Sequence, residues 1–254
     1  MASISTAQLS MNTEEQQQRI DLAACYRLVD LYGMSDGIGT HISARVPAAE
    51  DGGDRFLINP YGWLFDEITA SSLVRVDASG YALDGDDPVN PAGFNLHSCI
   101  HLARADVQCV LHTHSEAGMA VAALAAGVLP LSQHGMQFYD CIGYHAYEGL
   151  VTHPDEQQRF VAALGEHNAL VLHNHGLLTV GSSVAEAFYL MWRLEKACRT
   201  QLRALASGAE LQLPDAEVAR KTSAVYAASS AMISEFAWPG FVRRLDRLNP
   251  GYAD

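Results

Sequence analysis

The sequence has 254 residues and a formal net charge of −13, because 29 acidic residues stand against 16 lysines and arginines. Hydrophobic residues make up 49% of the chain and charged residues 18%, which excludes an intrinsically disordered protein. The acidic balance argues against nucleic acid as a partner, since a basic surface is what displaces phosphate counterions. No apolar run reaches the roughly 18 residues needed to span a bilayer, so no membrane partner is expected.

The residue types also bear on the cellular compartment. The first residues lack the apolar centre of a secretion signal. The five cysteines are widely spread and form no CxxC pair, a pattern typical of reduced thiols rather than of a disulfide framework. These features predict a cytoplasmic globular protein.

The first third of the chain reads as a helix followed by strands. Polar, aperiodic residues predict a flexible N-terminal arm over 1–14. Apolar residues then recur at helical spacing as far as Leu31, and Gly33 offers a stop. After this helix the sequence predicts three short strands, at 41–46, 56–58 and 73–76. The hairpin-like succession of these strands favours a mixed, largely antiparallel sheet.

The rest of the chain alternates helices and strands before ending in helices. Helices are predicted at 94–104, 117–126 and 155–164, and strands at 107–111, 169–172 and 177–180. Two long helices, about 183–206 and 214–236, precede a turn predicted at 238–240. No repeat or linker divides the chain. Residues 15–254 are therefore predicted to form one α/β domain, with helices on the faces of the sheet and a helical extension from about 208 to 254.

Two His-x-His pairs lie where apolar strands end, His112/His114 and His173/His175. Residues i and i+2 of an extended backbone project from the same face, so each pair can direct two imidazoles to one point. Imidazole is a good ligand for zinc and neighbouring divalent metals, and a catalytic site typically keeps one coordination position open. The alternative is a polar rim at the strand ends without a metal.

His97 and His101 form a competing pair, at i and i+4 of a predicted helix. They too could serve as metal ligands. The alternative is a partly buried helix face, on which both histidines bond to the backbone or to neighbouring side chains.

Several motifs, in this order, resemble the class II aldolase/adducin family. The motifs are Gly39-Thr40-His41-Ile42-Ser43-Ala44-Arg45, Asn59-Pro60-Tyr61-Gly62, Gly93-Phe94-Asn95-Leu96-His97, His112-Thr113-His114 and Asn174-His175-Gly176-Leu177-Leu178. The resemblance runs from roughly residue 15 to 207, and the ordered set of motifs is specific. The last 45 or so residues carry less of it.

The resemblance implies a three-layer α/β/α fold around a nine-stranded sheet, and a homotetramer with active sites between subunits. It also implies Zn²⁺, or alternatively Mn²⁺ or Fe²⁺, held by His112, His114 and His175. His173 then either bonds to a ligand histidine or forms part of the pocket wall, since ligating imidazoles need a partner on their other nitrogen.

The sequence departs from the sugar-phosphate aldolases of this family. Those enzymes carry Ser-Ser-Glu before the helix; the serines hold the substrate phosphate, and the glutamate is both catalytic base and metal contact. Here the glutamate position is Gly93, and the serine pair falls on Pro91-Ala92. Tyr61 stands where a small phosphate-contacting threonine is expected. A phosphorylated sugar is therefore not expected as substrate, and the usual base is missing.

The candidate substrate-binding residues are His41, Arg45, Tyr61, Gly62, Gly93 and His134. His41 and Arg45 lie in the segment with which the family binds the anionic end of its substrate. Arg45 is either a bidentate partner for a carboxylate or an exposed strand residue. His134 belongs to an aromatic and polar stretch that either lines the pocket or contributes to a subunit contact.

The candidate catalytic residues are Glu116 and Tyr139. Glu116 either projects toward the metal pocket or caps the following helix, where a carboxylate is favourable. Tyr139 is one of three candidate proton donors, together with Tyr144 and Tyr252.

The predicted function is that of a metal-dependent carbon–carbon lyase, of aldolase or decarboxylase type. Its substrate would be a small, non-phosphorylated hydroxy- or keto-carboxylate that reacts through a metal-stabilised enolate. The absence of the glutamate favours decarboxylation over aldol cleavage, because aldol cleavage needs a base to deprotonate a hydroxyl and decarboxylation does not. Two alternatives stay open: a non-haem iron oxygenase on the same scaffold, and a non-catalytic binding module like the adducin head.

Overall fold

The computed structural model describes residues 13–46, 53–85, 87–149 and 154–254. Most of the predicted arm lies outside these residues, and its last two positions already belong to the first helix. The first half contains α1 (Thr13–Leu31), β1 (His41–Arg45), β2 (Arg55–Ile58), a 3₁₀ turn (Phe65–Glu67), β3 (Val74–Asp77), α2 (Pro91–Ala103), β4 (Cys109–Thr113) and α3 (Glu116–Ala122).

The second half supplies the other three strands and the long helices. It contains α4 (Gln133–Met136), β5 (Gly143–His145), α5 (Pro154–Leu164), β6 (Ala169–Leu172), β7 (Gly176–Gly181), α6 (Val184–Ala206), α7 (Ala216–Ala227), α8 (Ser230–Met232), a π-helical turn (Ile233–Ala237) and α9 (Trp238–Leu248). None of the described helices is long and apolar enough to cross a membrane.

The strands form one sheet in the order β3-β2-β1-β4-β7-β6-β5. All neighbouring pairs are antiparallel except β5 and β6, which run parallel. This confirms the predicted mixed, largely antiparallel sheet. The described residues form seven strands rather than nine. Among the described residues after β3, Val76 and Ala82 form an isolated bridge.

Helices cover both faces of the sheet, which confirms the three-layer architecture. One face packs against α1, α3 and α6 through the largest apolar cluster, which includes Leu28, Leu111 and Phe188. The other face packs against α2 and α5 through a second cluster, which includes Ile100 and Phe160. Every residue of β4 is buried because this central strand is covered on both sides.

The C-terminal segment returns to the first helix. Arg27, a charged residue on the apolar stripe of α1, donates hydrogen bonds to Ile68 O at 2.7 Å, Asn249 Oδ1 at 2.8 Å and Pro250 O at 2.7 Å. Ala70 N donates to Tyr252 O at 2.8 Å. These bonds satisfy a buried guanidinium and attach the end of the extension to the rest of the fold.

Two predictions about the C-terminal helices are wrong. The turn predicted at 238–240 is the first turn of α9, where Pro239 is well placed because a helix needs no N–H donor there. The helix predicted over 214–236 is interrupted after Ala227 and resumes as α8 and the π-helical turn.

Candidate metal centre and its pocket

Three central strands bring the candidate residues to one edge of the sheet. Because β4 runs antiparallel to both β1 and β7, its end meets the starts of its two neighbours. His41 is the first residue of β1 and pairs directly with His112 of β4. His175 immediately precedes β7. Residues distant in sequence therefore meet at the end of β4.

The structure brings His112, His114 and His175 together. Their ring centroids are 4.7 to 4.8 Å apart. One potential ligand atom from each residue lies within 4.8 Å of the other two. This spacing suits a small cation bonded to three imidazole nitrogens at about 2.0–2.1 Å each.

In His112 and His114, the hydrogen bond made by Nδ1 leaves Nε2 as the nitrogen that can bind a metal ion. His112 donates from Nδ1 to Leu177 O at 2.9 Å, and His114 donates from Nδ1 to Asp36 Oδ2 at 2.9 Å. A neutral imidazole that donates from Nδ1 has its lone pair on Nε2, and these two Nε2 atoms lie 2.9 Å apart. Two facing lone pairs need a proton or a cation between them, so the donor set fits a metal ion. Leu177 O and Asp36 are the partners that orient the rings.

Burial keeps the imidazoles in the form that binds metal. Burial, together with His41, His114 and His175, holds the pKa of His112 well below its usual range. Burial and neighbouring His114 lower the pKa of His175 to about 4. Both rings are therefore neutral at pH 7, the state that a metal ligand requires.

A cavity of about 230 Å³ opens beside the three histidines. Its walls include Gly39, His41, Asn90, Gly93 and Tyr147. Tyr147 lies 6.2 Å from His175 between ring centroids and is 54% exposed. Sequence reasoning missed Asp36, Asn90 and Tyr147. Asp36 lies just before the Gly39-Thr40-His41 motif, which was the one signal available, whereas nothing in the sequence pattern distinguishes Tyr147.

His41 fills the space beside Gly93. A Cβ added at Gly93 would lie 2.3 Å from His41 Nε2 and 2.2 Å from its Cδ2. Atoms cannot approach so closely, so only glycine fits at position 93 while this imidazole stays in place. The His41 ring, from the neighbouring strand, therefore occupies the space that a side chain at position 93 would need.

The His97/His101 pair lies behind His41 rather than at the cation site. Both rings are fully buried on the face of α2 that meets β1. His97 Nε2 lies 2.8 Å from His41 Nδ1, and Ser43 Oγ lies between His97 Nδ1, at 2.7 Å, and His101 Nε2, at 2.9 Å. Of the two predictions for this pair, the buried helix face is the one the geometry supports.

The second His-x-His pair does not lie in extended backbone, contrary to prediction. His173, Asn174 and His175 form a tight turn, in which Asn174 adopts a φ of +57°. His173 Nδ1 donates to Ala122 O at 3.0 Å, and its ring stacks on Tyr144 at 5.6 Å. The turn therefore sends only the second histidine of this pair into the centre.

Three predicted substrate-binding residues lie outside the pocket. Arg45 projects from the far end of β1, where it pairs with Asp54 and donates to His101 O. Tyr61 is 44% exposed, and Gly62 supplies the φ of +98° that its turn requires. Arg45 leaves the pocket because strand residues four apart lie about 13 Å apart along β1.

The stretch after Pro130 also lies away from the pocket. His134 is on α4 beside Trp192, 6.3 Å between ring centroids. Tyr139 lies beneath the guanidinium of Arg220, 5.8 Å from the ring centroid. The Tyr144 hydroxyl accepts from Val128 N, and the Tyr252 hydroxyl donates to Asp246. None of these tyrosines lines the cavity, whereas Tyr147 does.

Glu116 is the first residue of α3, directly after the N-cap Ser115. Its side chain is exposed and does not line the cavity. This position agrees with the alternative of a carboxylate that stabilises a helix N-terminus.

A second group of potential ligands, His145, Glu148 and Glu156, lies nearby. Both carboxylate oxygens of Glu148 accept hydrogen bonds from Arg159 Nε at 2.9 Å. Because this carboxylate already has a cationic partner, the three histidines are the stronger candidate for a metal ion.

The comparison with known families agrees with the three-layer fold and its mixed sheet. The family model described as Class II Aldolase and Adducin N-terminal domain matches residues 20–202. The chain therefore belongs to the class II aldolase/adducin family, as its motifs predict.

Relatives come from both branches of the family. A Pseudomonas aeruginosa protein, provisionally named an aldolase class 2 protein, is 49% identical over 250 residues, which cover 96% of this chain and 95% of that protein. Mouse alpha-adducin is 44% identical over 197 residues, 76% of this chain but only 26% of the adducin. The solved structure of L-fuculose 1-phosphate aldolase from Glaciozyma antarctica superposes with a TM-score of 0.81 at 28% identity, covering 92% of this chain and 90% of that one.

Proposed function

We propose that this protein is a metal-dependent carbon–carbon lyase that acts on a small, non-phosphorylated hydroxy- or keto-carboxylate. The observation that carries the proposal is the separation of only 2.9 Å between the Nε2 atoms of His112 and His114. Their outer nitrogens are committed to Leu177 O and Asp36, so the inner nitrogens are left for a cation. Members of this family are generally lyases, although the adducins within it are non-enzymatic.

His112, His114 and His175 would hold the ion, with Zn²⁺ expected first and Mn²⁺ or Fe²⁺ as alternatives. A bound divalent ion supplies Lewis-acid stabilisation of negative charge on a substrate oxygen. The chain's own groups then orient the rest of the substrate. His41 and Tyr147 are polar residues of the cavity wall. The imidazole can accept a hydrogen bond from the substrate, and the Tyr147 hydroxyl can return a proton.

A carboxylate without a phosphate suits this cavity. Position 93 provides no carboxylate, and Pro91 replaces one of the two phosphate-binding serines.

Metal analysis of purified protein tests the proposal. We expect about one divalent ion per chain in the wild type and none in His114→Ala, measured by inductively coupled plasma mass spectrometry. The matched control is His173→Ala, which removes a histidine that lies in the turn before β7 and bonds to Ala122 O, and this variant should keep the ion. Cleavage of a panel of hydroxy- and keto-acids should follow the metal content.

The resemblance to alpha-adducin supports one alternative, a non-catalytic binding module. A wild-type protein that stays free of metal after incubation with Zn²⁺, Mn²⁺ or Fe²⁺ would establish that alternative. Iron together with oxygen consumption would indicate an oxygenase instead.

We further propose a homotetramer with active sites between subunits. Tyr61, Trp63 and Leu64 expose apolar side chains in one short segment, as a subunit contact requires. Sedimentation equilibrium should give four times the chain mass of 27.5 kDa. A monomer at micromolar concentration would contradict this.

A further inference from the structure

A buried chain of hydrogen bonds leads from the backbone to the pocket through four side chains. It begins at Val107 O, which lies 3.3 Å from His101 Nδ1, and passes through Ser43 and His97 to His41. All four side chains are at most 5% exposed. We call these four residues the β1–α2 relay.

Each histidine of the relay is neutral. The rings of His41, His97 and His101 are buried, and they form hydrogen bonds with one another, with Ser43 Oγ and with Val107 O, none of which carries a negative charge. A buried ring without a negative partner stays uncharged, and burial lowers the pKa of His101 to about 3. A neutral imidazole has one N–H donor and one lone pair. The direction of every hydrogen bond in the relay therefore follows from the direction of any one of them.

The carbonyl of Val107 sets that direction, because a carbonyl oxygen only accepts. His101 must donate from Nδ1, which leaves a lone pair on its Nε2. Ser43 donates to that lone pair, and its own oxygen accepts from His97 Nδ1. His97 is then left with a lone pair on Nε2, to which His41 donates from Nδ1.

The result is a lone pair on His41 Nε2, which faces the cavity beside Gly93. A lone pair attracts a hydroxyl hydrogen and repels a carbonyl oxygen. An acceptor at a fixed place in a largely buried wall discriminates strongly, because a partner without a donor leaves it unsatisfied.

We propose that the β1–α2 relay makes His41 Nε2 a permanent hydrogen-bond acceptor, and that this acceptor selects hydroxy-carboxylates over the matching keto-carboxylates. The inference rests on the proposed function, which leaves both substrate classes open. His41 is the specificity-determining residue, and Ser43, His97 and His101 are positioning residues that act through it.

Nuclear magnetic resonance tests the hydrogen-bond direction without a substrate. Long-range ¹H–¹⁵N correlation spectra of metal-free protein with ¹⁵N-labelled histidine should show His41 protonated at Nδ1 and unprotonated at Nε2. In Ser43→Ala the relay is broken and both tautomers of His41 should appear, whereas Ser43→Thr keeps the hydroxyl and should restore the single tautomer. A wild-type His41 that carries its proton on Nε2 overturns the proposal.

Calorimetric titration of zinc-loaded protein tests the selectivity. The probes are two matched pairs, lactate with pyruvate and malate with oxaloacetate. We expect the hydroxy-acid of each pair to bind at least about tenfold more tightly, and Ser43→Ala to reduce that ratio with its zinc content unchanged. Equal affinities in the wild type overturn the inference. A protein that takes up no zinc, or binds none of the four acids, refutes the proposed function instead, and the tautomer measurement still stands.

Discussion

Gly93 and His41 share one small volume in the pocket wall. The imidazole occupies the space that any side chain at position 93 would need. The absence of a side chain at position 93 and the position of the His41 ring therefore depend on each other.

The Gly93→Ala substitution tests this relation. The new Cβ would force His41 away from His97, which costs both packing and a buried hydrogen bond. We expect a loss of about 1–3 kcal/mol in the free energy of unfolding, measured by urea denaturation. A crystal structure of the variant should show the displaced ring.

Gly240→Ala is the matched control for this substitution. Gly240 lies in the first turn of α9, where an added Cβ meets only Arg243 Nη2, at 3.9 Å. This variant should be as stable as the wild type or slightly more stable, because alanine favours a helix. Equal stability of the two variants would show that His41 moves aside freely.

At the scale of elements, the turn between β6 and β7 decides which histidine enters the centre. Asn174 adopts a left-handed conformation with φ +57°, and the backbone turns between the two histidines at this point. Asparagine tolerates this conformation, whereas a β-branched residue is strained in it.

Asn174→Val should therefore weaken the metal centre through the backbone alone. We expect a lower melting temperature and a loss of about 1–3 kcal/mol in stability, together with at least tenfold weaker zinc binding, measured by competition with a chromogenic chelator. Asn174→Gly, which adopts positive φ freely, should bind zinc like the wild type. Wild-type affinity in the valine variant would contradict this role for the turn.

Much of the fold and of the candidate metal centre could be predicted from the sequence, because both depend in part on local patterns. Apolar segments predicted the strands, and one of them ends at His112 and His114. The i, i+2 spacing of these two histidines predicted that their rings lie on the same face. The role of His97 and His101 could not be predicted, because it depends on which face of α2 contacts β1, and that is a tertiary contact. The failure at 238–240 was local: Trp-Pro-Gly is typical of a turn, but proline also suits a helix start.

Residues brought in from distant loops were beyond prediction. Asp36 and Tyr147 contribute to the pocket only because the start of β1 and the segment after β5 fold over the end of β4. Conversely, Arg45 and His134 have suitable chemistry, but the direction of β1 and the packing of α4 on α6 place them elsewhere.

At the scale of the whole molecule, five histidines whose pKa is lowered in the folded state make stability depend on pH. The pKa of His41, His97, His101, His112 and His175 is lowered in the folded state from an ordinary value of 6.5. Below about pH 6.5 these histidines bind protons in the unfolded chain but not in the folded one. Their contribution to the free energy of unfolding is therefore fully present above that pH and is lost as the pH falls toward about 3 to 4.

Urea denaturation of the metal-free protein at pH 7.5, 6 and 5 measures this effect. Each histidine should remove up to about 1.4 kcal/mol of stability per pH unit below pH 6.5. The variant His101→Asn removes one of the five groups, so its stability should fall less steeply with acidification. A stability that is constant from pH 7.5 to 5 would show that these rings are protonated inside the fold.

The ligand set of the centre has an electrostatic consequence. With a divalent ion bound, three neutral imidazoles would add no charge to that of the ion, and Asp36 would offset only one of its two positive charges through His114. An anion approaching from solvent would then be repelled at long range by a molecule of net charge −13 and attracted once it reached the cavity mouth. Added salt screens the long-range repulsion more than the short-range attraction, so capture of carboxylates should accelerate as ionic strength rises toward physiological values.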